Sequence, residues 1–290
     1  MPNRSEQVIT ARLLREWPLP DPAGGKDSRG TVLVVGGARY TPGAVLLAGV
    51  AALRAGAGRL QLAVTETTAS ALSIAVPEAK VVGLPETDHG AVAGRGTGHL
   101  LELAGAADVI AVGPGLDDID QTTDLLRRVL DAAGQGTAVV LDAYALGALS
   151  EHPDLLTGDK RPERVVLTPN VTEAAHLLGR EPGADLATAA ADLAREYRAV
   201  VMLYGHVAAP DGRCWREESG DVGLGTSGSG DVQAGIVAGL LGRGASPEQA
   251  ACWAAYAHAV SGQRLISRFG RIGFLARDVV DEVAPTIAMV

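Results

Sequence analysis

Short runs of β-branched and aliphatic residues recur along the chain, and most are followed by a glycine-containing turn or by a segment rich in Ala and Leu. Such runs are typical of buried strands, and the Ala- and Leu-rich segments are typical of helices. Because strand and helix alternate, the pattern favours right-handed βαβ units and a largely parallel sheet. Strands are predicted at residues 31–35, 59–64, 108–112, 137–142, 164–167 and 199–203.

The pattern changes after residue 203. Residues 207–215 surround a Pro210-Asp211-Gly212 turn and predict a β-hairpin at one edge of the sheet. Helices are predicted at residues 43–54, 232–241, 247–265 and 275–283. The predicted fold class is therefore α/β, a three-layer α/β/α sandwich with a largely parallel central sheet and a hairpin at one edge.

The chain carries no charged or Ser-rich linker that would divide it. We therefore predict a single domain over residues 1–290, in which residues 1–28 form an N-terminal helix and a connector rich in Pro and Gly.

Charge and hydropathy exclude several classes of function. The chain has 34 acidic and 25 basic residues, a net charge of −9, which argues against a nucleic-acid partner because phosphate neutralisation needs clustered Lys and Arg. No uncharged stretch reaches the roughly 18 residues of a membrane span; residues 40–53, for example, are 14 residues long. Residues 1–20 lack the apolar centre of a secretory signal. We expect a cytoplasmic protein without a membrane partner.

The strongest chemical signal is a glycine-rich loop. Residues 223–231 contain four glycines and end in Asp231, immediately before an apolar helix. Main-chain N–H groups of such a loop, together with the helix N-terminus, can hold a phosphate. Asp231 could simply cap the helix. A carboxylate among phosphate-binding amides is, however, better placed to deprotonate a hydroxyl that attacks a phosphoryl group.

At this loop the chain resembles a known family. Residues 225–239, GTSGSGDVQAGIVAG, are similar to the C-terminal signature of the ribokinase-like superfamily, and most similar to the ADP- or ATP-dependent NAD(P)H-hydrate dehydratases. Further segments match that family in order: 35–38 (VGGA) with 42–44 (PGA), 54–58 (RAGAG), 112–116 (VGPGL), and 167–169 (LTP) with Glu173. The resemblance implies a ribokinase-like fold.

The resemblance also implies an activity. The expected substrate is hydrated NADH or NADPH, which the family converts back to the reduced coenzyme with ADP or ATP as co-substrate and Mg²⁺ as cofactor. It further implies a homotetramer. Two alternatives remain: a kinase of the same fold that phosphorylates a vitamin precursor or a sugar hydroxyl, and a catalytically silent nucleotide sensor.

Site residues follow from the same resemblance, position by position. Asp231 matches the catalytic acid. The positions that match the substrate pocket are Ala44, Gly115, Asn170 and Asp231. Those that match the nucleotide site are Tyr204, Gly205, His206, Val207, Ala208, Gly228, Ser229 and Gly230.

Three positions depart from the family pattern. Asn170 replaces a substrate-contacting histidine, Tyr204 replaces a lysine, and Tyr144 replaces an aspartate two residues after Asp142. Asparagine can bind but cannot carry a proton. Loss of the lysine removes a cation from the phosphate region, and Arg39 is a candidate substitute.

Asn170 and Glu173 also match the N-x-x-E arrangement of ribokinase-type kinases, which organises water around Mg²⁺. Glu173 is therefore the candidate metal residue. The alternative is a helix start capped by Thr172.

Other polar and aromatic residues are interpreted structurally. The acidic residues at 117, 118 and 120 are more typical of a solvated turn and helix cap than of a metal cluster. Tyr40, Trp253, Tyr256 and His258 occur in apolar helical contexts, which favours core or interface positions over ligand binding.

Overall fold

The computed structural model describes residues 6–21, 23–157 and 161–290. Ten strands within these residues form a single sheet. The strands are β1 (Gln7–Val8), β2 (Thr31–Val35), β3 (Arg59–Thr65), β4 (Ala79–Leu84), β5 (Val109–Val112), β6 (Ala138–Leu141), β7 (Arg164–Leu167), β8 (Val200–Leu203), β9 (His206–Ala208) and β10 (Cys214–Arg216). Their order across the sheet is β1-β10-β9-β8-β7-β6-β5-β2-β3-β4. In this order, all neighbours from β8 through to β4 at the sheet edge are parallel. Strand β9 pairs antiparallel with both β8 and β10, and β1 pairs parallel with β10.

Helices cover both faces of the sheet. They are α1 (Ala11–Glu16), α2 (Pro42–Ala55), α3 (Glu66–Ala75), α4 (Gly98–Ala106), α5 (Ile119–Ala132), α6 (Tyr144–Glu151), α7 (Val171–Leu178), α8 (Leu186–Glu196), α9 (Ser229–Gly242), α10 (Pro247–Phe269) and α11 (Ala276–Ala288). No helix of the described residues has the length and apolar character that crossing a membrane requires.

Alternation along the strands separates the core into a cluster on each face. In β2, Val32 and Val34 pack with α2, α9, α10 and α11, whereas Leu33 and Val35 pack with α4 to α8 on the opposite face. All four side chains are fully buried. Burial on both faces explains why the sequence shows continuous apolar runs rather than alternation.

The α/β prediction and the parallel sheet are confirmed. Each predicted strand agrees with the structure to within one residue at either end. The predicted helices begin or end up to five residues away from the observed bounds, because helix ends depend on caps more than on apolar periodicity.

Other elements were missing from the prediction or lie differently. Strand β4 has the sequence AKVVGL, in which a Lys and a Gly weaken the strand signal. The predicted hairpin is confirmed as β9 and β10, but the two-residue strand β1 pairs outside it and so forms that edge of the sheet. Helix α1 lies within the predicted N-terminal segment 1–28, of which residues 1–5 and 22 lie outside the described residues.

Helices α2 and α9 pack main chain against main chain. A Cβ atom on Gly235 would lie 2.1 Å from the carbonyl oxygen of Ala48, and one on Gly239 would lie 2.3 Å from that of Ala52. Because each contact advances by four residues on both helices, the two helices run in the same direction. Their N-termini therefore meet at the same end of the sheet, the carboxyl edge of the parallel strands.

This contact generates a prediction. We expect Gly235→Ala to lower the free energy of unfolding by about 1–3 kcal/mol, because the methyl group would collide with main chain that cannot rotate away. The gain in helix propensity of about 1 kcal/mol is smaller than this overpacking cost. Urea unfolding measures the difference. Gly98→Ala is the matched control, since a Cβ atom there meets nothing within 4 Å; equal stability of the two variants would contradict the close contact.

Candidate active site

Two glycine loops at the carboxyl edge of the sheet are joined through their main chains. Gly37 N–H donates to Pro114 O at 2.8 Å, and Ala38 N–H donates to Gly115 O at 2.8 Å. A Cβ atom on Gly36 would lie 2.0 Å from Pro114 O, so a larger residue would separate the loops. The loops after β2 and β5 thus form one rigid surface.

The structure brings two predicted substrate residues together on this surface. A Cβ atom on Gly115 would lie 3.0 Å from Cβ of Ala44, near the N-terminus of α2. Ala44 also lies one helical turn before Ala48, just as Asp231 lies one turn before Gly235 on α9. The contact between α2 and α9 therefore places Ala44 and Asp231 at the same end of the two helices.

The N-terminus of α9 offers main-chain donors. Its N-cap is Gly228, whose φ of +86° favours glycine and whose carbonyl accepts from Val232 N–H at 3.1 Å. Helix α9 has no side-chain cap. Across the described residues, the N–H groups of Gly230 and Asp231 have no hydrogen-bond acceptor. Unpaired amides at a helix N-terminus form an anion site.

Asp231 is the third residue of α9 and does not cap it, which corrects the capping alternative. Its carboxylate is half-buried and has no hydrogen-bond or ion-pair partner within the described chain. Burial raises the pKa of Asp231 to about 6. A carboxylate that is partly removed from water without compensation is unfavourable for stability, which is typical of a functional group.

Asp142 and Glu173 add negative charge to the same region. Asp142 follows β6, is buried, and accepts a hydrogen bond of 2.8 Å from the Thr168 hydroxyl. Burial, and then the charges of Glu173 and Asp231, raise the pKa of Asp142 to about 7. The strand ends and α9 therefore bring these carboxyl groups close enough to repel one another.

Asn170 and Glu173 form a capping box at the start of α7. Asn170 Oδ1 accepts from Glu173 N–H at 2.9 Å, and Glu173 Oε2 accepts from Asn170 N–H at 2.9 Å. The N-cap is thus Asn170, and the capping alternative based on Thr172 was wrong about the residue. Because the helix uses Oδ1 of Asn170, this exposed side chain can reach a ligand through its amide NH₂ group.

Glu173 is half-buried, and burial raises its pKa. The cap uses only Oε2 of Glu173 and leaves Oε1 of its carboxylate out of the capping box. The residue can therefore start the helix and still present charge to the site.

The predicted nucleotide segment 204–208 is a tight turn followed by β9. Tyr204 and Gly205 both have positive φ, +47° and +86°, as expected of a two-residue type I′ hairpin turn. The Tyr204 side chain is 79% exposed, whereas the side chains of Val207 and Ala208 are buried in the core. These last two residues can contact a nucleotide only through their main chain. His206 Nδ1 lies 2.7 Å from Glu6 Oε1.

Several other sequence interpretations are resolved by their contacts. Arg39 forms an ion pair with Glu86 at 3.1 Å, so its charge is already compensated. Asp118 caps α5 by accepting from Gln121 N–H at 3.0 Å, in agreement with the turn-and-cap interpretation. In residues 6–21, 23–157 and 161–290, no three His, Cys, Asp or Glu side chains are grouped as direct ligands of one metal.

Sequence reasoning missed one residue next to the loop. Ser229 Oγ lies 2.9 Å from His258 Nε2 of α10, and both residues are buried. His258 was interpreted as a core residue, and its Ala-rich neighbourhood gave no signal of this contact. It is a core residue, but one in contact with the first residue of α9.

Comparison with known proteins adds independent evidence. The family model for NAD(P)H-hydrate dehydratase matches residues 32–285. An ADP-dependent (S)-NAD(P)H-hydrate dehydratase from Xanthomonas campestris is 44% identical, covering 96% of this chain and 94% of that protein. A bifunctional NAD(P)H-hydrate repair enzyme from Moorella thermoacetica is 39% identical over 96% of this chain, which spans 53% of that longer protein.

Solved structures show the same fold. An ADP/ATP-dependent NAD(P)H-hydrate dehydratase from Bacillus subtilis, co-crystallised with ATP and Mg²⁺, superposes with a TM-score of 0.82 at 27% identity, covering 99% of each chain. A ribokinase-like superfamily protein from Enterococcus faecalis superposes with a TM-score of 0.81 at 23% identity, covering 100% of this chain and 98% of that one. The predicted ribokinase-like fold is confirmed.

The buried charge at position 231 generates a prediction. We expect Asp231→Asn to raise the free energy of unfolding at pH 7 by about 2 kcal/mol, since the folded state raises the pKa of Asp231 from 3.8 to about 6. The folded state binds the extra proton, so the wild type loses stability as pH rises from about 4 to 6. The advantage of the variant should therefore vanish below pH 4.

Urea unfolding at pH 4 and pH 7 measures this difference. Asp120→Asn is the matched control, because Asp120 is an exposed acid in the first turn of α5. Its replacement should change stability by less than about 0.5 kcal/mol at either pH. A variant Asp231→Asn that is less stable than the wild type at pH 7 would contradict the unpaired carboxylate.

Proposed function

Because this chain belongs to the NAD(P)H-hydrate dehydratase family, we propose that it removes water from hydrated NADH or NADPH, with ADP or ATP as the co-substrate. The product is the reduced nicotinamide coenzyme, so the activity is coenzyme repair by a carbon–oxygen lyase. The relative from Xanthomonas campestris is named an ADP-dependent enzyme, which favours ADP over ATP as the co-substrate of this chain.

One observation carries the chemistry. Asp231 presents a half-buried carboxylate without a partner among the described residues, directly beside the unpaired amides of Gly230 and Asp231. An anion site next to a base is what phosphoryl transfer to a hydroxyl requires. An amide cluster alone would support nucleotide binding without catalysis.

We propose the following reaction. The amides at the start of α9 hold the terminal phosphate of the nucleotide. The oxygen of the substrate hydroxyl attacks phosphorus, and Asp231 accepts the proton of that hydroxyl. The nucleotide leaves one phosphate shorter. The phosphorylated C–O bond then breaks, inorganic phosphate departs with the bonding electrons, and the neighbouring ring carbon loses a proton to restore the C=C bond. Phosphorylation thus turns hydroxide, a poor leaving group, into phosphate.

The substrate pocket is proposed around Ala44, Gly115, Asn170 and Asp231. Ala44 and Gly115 are adjacent at the joined loops. Asn170 would contribute its amide NH₂ group. The nucleotide site is proposed at Gly228, Ser229, Gly230 and the turn at Tyr204, Gly205 and His206, with main-chain contacts from Val207 and Ala208.

We further propose that Mg²⁺ binds through water at Glu173. The negative charge that Glu173 and Asp231 place near Asp142 supports this, because a divalent cation would offset it. The cation would also neutralise charge on the transferring phosphate. The Bacillus subtilis relative was co-crystallised with ATP and Mg²⁺.

We also propose a compartment, a domain organisation and an assembly. Reduced nicotinamide coenzymes and ADP are abundant in the cytoplasm, where we place the protein. The continuous sheet is consistent with a single domain over residues 1–290. The homotetramer implied by the family resemblance is supported by the open edge strand β4 and by Ile74 on the adjacent α3, which is 81% exposed.

The activity is testable directly. Incubation of hydrated NADH with the protein and ADP should restore the absorbance of the reduced nicotinamide. We expect Asp231→Asn to lower kcat by about 10³-fold, because it removes the general base, while ADP affinity stays within about threefold. Asp120→Asn should behave as the wild type. Calorimetry measures ADP affinity and absorbance measures the rate.

The possible outcomes separate the alternatives. Failure to recover absorbance with either ADP or ATP would overturn the dehydratase. A phosphorylated product that accumulates without elimination would instead indicate the kinase. ADP binding without any turnover would indicate the silent sensor.

The proposed metal role yields a further prediction at Glu173. Glutamine can replace glutamate in a capping box, so Glu173→Gln should keep stability within about 0.5 kcal/mol while removing the charge. We expect the Mg²⁺ concentration for half-maximal activity to rise about tenfold. Glu173→Ala also removes the cap and should cost about 1 kcal/mol of stability in addition. If the Mg²⁺ concentration for half-maximal activity were unchanged in Glu173→Gln, the metal role would be contradicted and Glu173 would serve only to cap the helix.

A further inference from the structure

A buried polar contact joins α9 to α10 behind the glycine loop. Ser229 Oγ and His258 Nε2 are 2.9 Å apart, and the two residues are 5% and 8% exposed. Neither side chain takes part in the reaction proposed above. The contact nevertheless lies one residue from the amides that are proposed to hold phosphate.

The position of Ser229 makes this contact important for the loop. Ser229 is flanked by Gly228, at φ +86°, and by Gly230, and glycine restricts the main chain less than any other residue. Because residues 228 and 230 are glycines, Ser229 is the residue of this tripeptide whose side chain can anchor the main chain. Helix α9 also lacks a side-chain cap that would fix its first turn from the solvent side.

His258 is suited to anchoring and unsuited to binding an anion by charge. It lies in α10 among Ala254, Ala255, Ala257 and Ala259, all buried. Burial lowers the pKa of His258 to about 4, although a hydrogen bond to the Ser229 main chain acts in the opposite direction. The ring is therefore neutral near pH 7, and it can hold Ser229 without adding a cation.

We propose that His258 is a positioning residue, which acts through Ser229 to hold the Gly230 and Asp231 amides in the orientation that binds the phosphates of the nucleotide. This inference rests on the proposed function, because it assigns the phosphates to those amides. It adds a role for a residue that touches neither substrate nor nucleotide. The contribution should appear only for ligands that carry phosphate.

The experiment compares ADP with adenosine. Titration calorimetry gives the dissociation constant of each ligand for the wild type, Ser229→Ala, His258→Leu and the double variant. We expect each variant to weaken ADP binding about tenfold and to leave adenosine binding unchanged. His258→Leu also removes the hydrogen bond of His258 to the Ser229 main chain, which Ser229→Ala leaves in place. The double variant should therefore be no weaker than His258→Leu.

Rescue and control variants distinguish positioning from stability. His258→Gln can keep a neutral hydrogen-bonding group near Ser229 and should restore ADP affinity to within about threefold of the wild type. Ser261→Ala is the matched control. It removes another buried hydrogen bond of α10, the 3.0 Å contact of Ser261 with Thr286, and should lower the unfolding temperature without changing the ratio of ADP to adenosine affinity.

The results are decisive in either direction. A folded His258→Leu variant that binds ADP as tightly as the wild type would overturn the positioning role and leave the proposed function intact. Equal weakening of ADP and adenosine would show a general structural role and would also overturn it. If the wild type itself binds ADP no better than adenosine, the proposed phosphate site fails.

Discussion

The close main-chain contact between α2 and α9 is the constraint on which the candidate site depends. Gly235 and Gly239 allow the carbonyl groups of Ala48 and Ala52 to approach α9 where any Cβ atom would collide. The approach fixes where α9 begins, and its first-turn amides have no partner in the described chain. Helix packing thus determines where the unpaired first-turn amides of α9 lie.

Electrostatics at the site follow from that placement. The first turn of α9 brings Asp231 to the carboxyl edge of the sheet, where Asp142 and Glu173 already lie, and the charges of Glu173 and Asp231 raise the pKa of Asp142. The arrangement is unfavourable for an ionised Asp142 without ligands, because burial and two neighbouring carboxylates disfavour its charged form. Phosphate alone would add to the repulsion. The proposed Mg²⁺, bound together with the nucleotide, would relieve it.

The sequence was most informative where a local rule decides the structure. The buried strands, the parallel order and the glycine loop could be predicted because apolar runs and glycine clusters are local signals. The two-residue strand β1 could not be predicted, because its pairing depends on β10, a partner distant in sequence. Strand β4 could not be predicted because its Lys and Gly weaken the local strand signal. Ser229 and His258 are 29 residues apart in the sequence. A histidine in an Ala-rich helix gives no local signal that it contacts a distant serine.

Among the site residues, too, those with a distinctive local signal could be predicted and the others could not. Asp231 was singled out because a carboxylate beside glycine amides is chemically unusual, whereas the use of Asn170 as the N-cap of α7 was not recognised. A capping box and an N-x-x-E metal motif have the same residues at the same spacing, so sequence alone cannot separate them. The structure shows that the cap is formed and that the Glu173 carboxyl group still lies near enough to Asp142 to raise the pKa of Asp142.

The departures from the family pattern all occur at accessible side chains. Tyr204 is 79% exposed, Tyr144 is 42% exposed, and Asn170 is exposed as well. Positions that match the family instead include Gly36, Gly113 and Gly235, where a Cβ atom would lie about 2 Å from a main-chain oxygen. Packing allows no alternative at the glycines, whereas an exposed side chain can change at little cost in stability. The substitutions therefore change exposed side chains and leave the amide loop and its carboxylate in place.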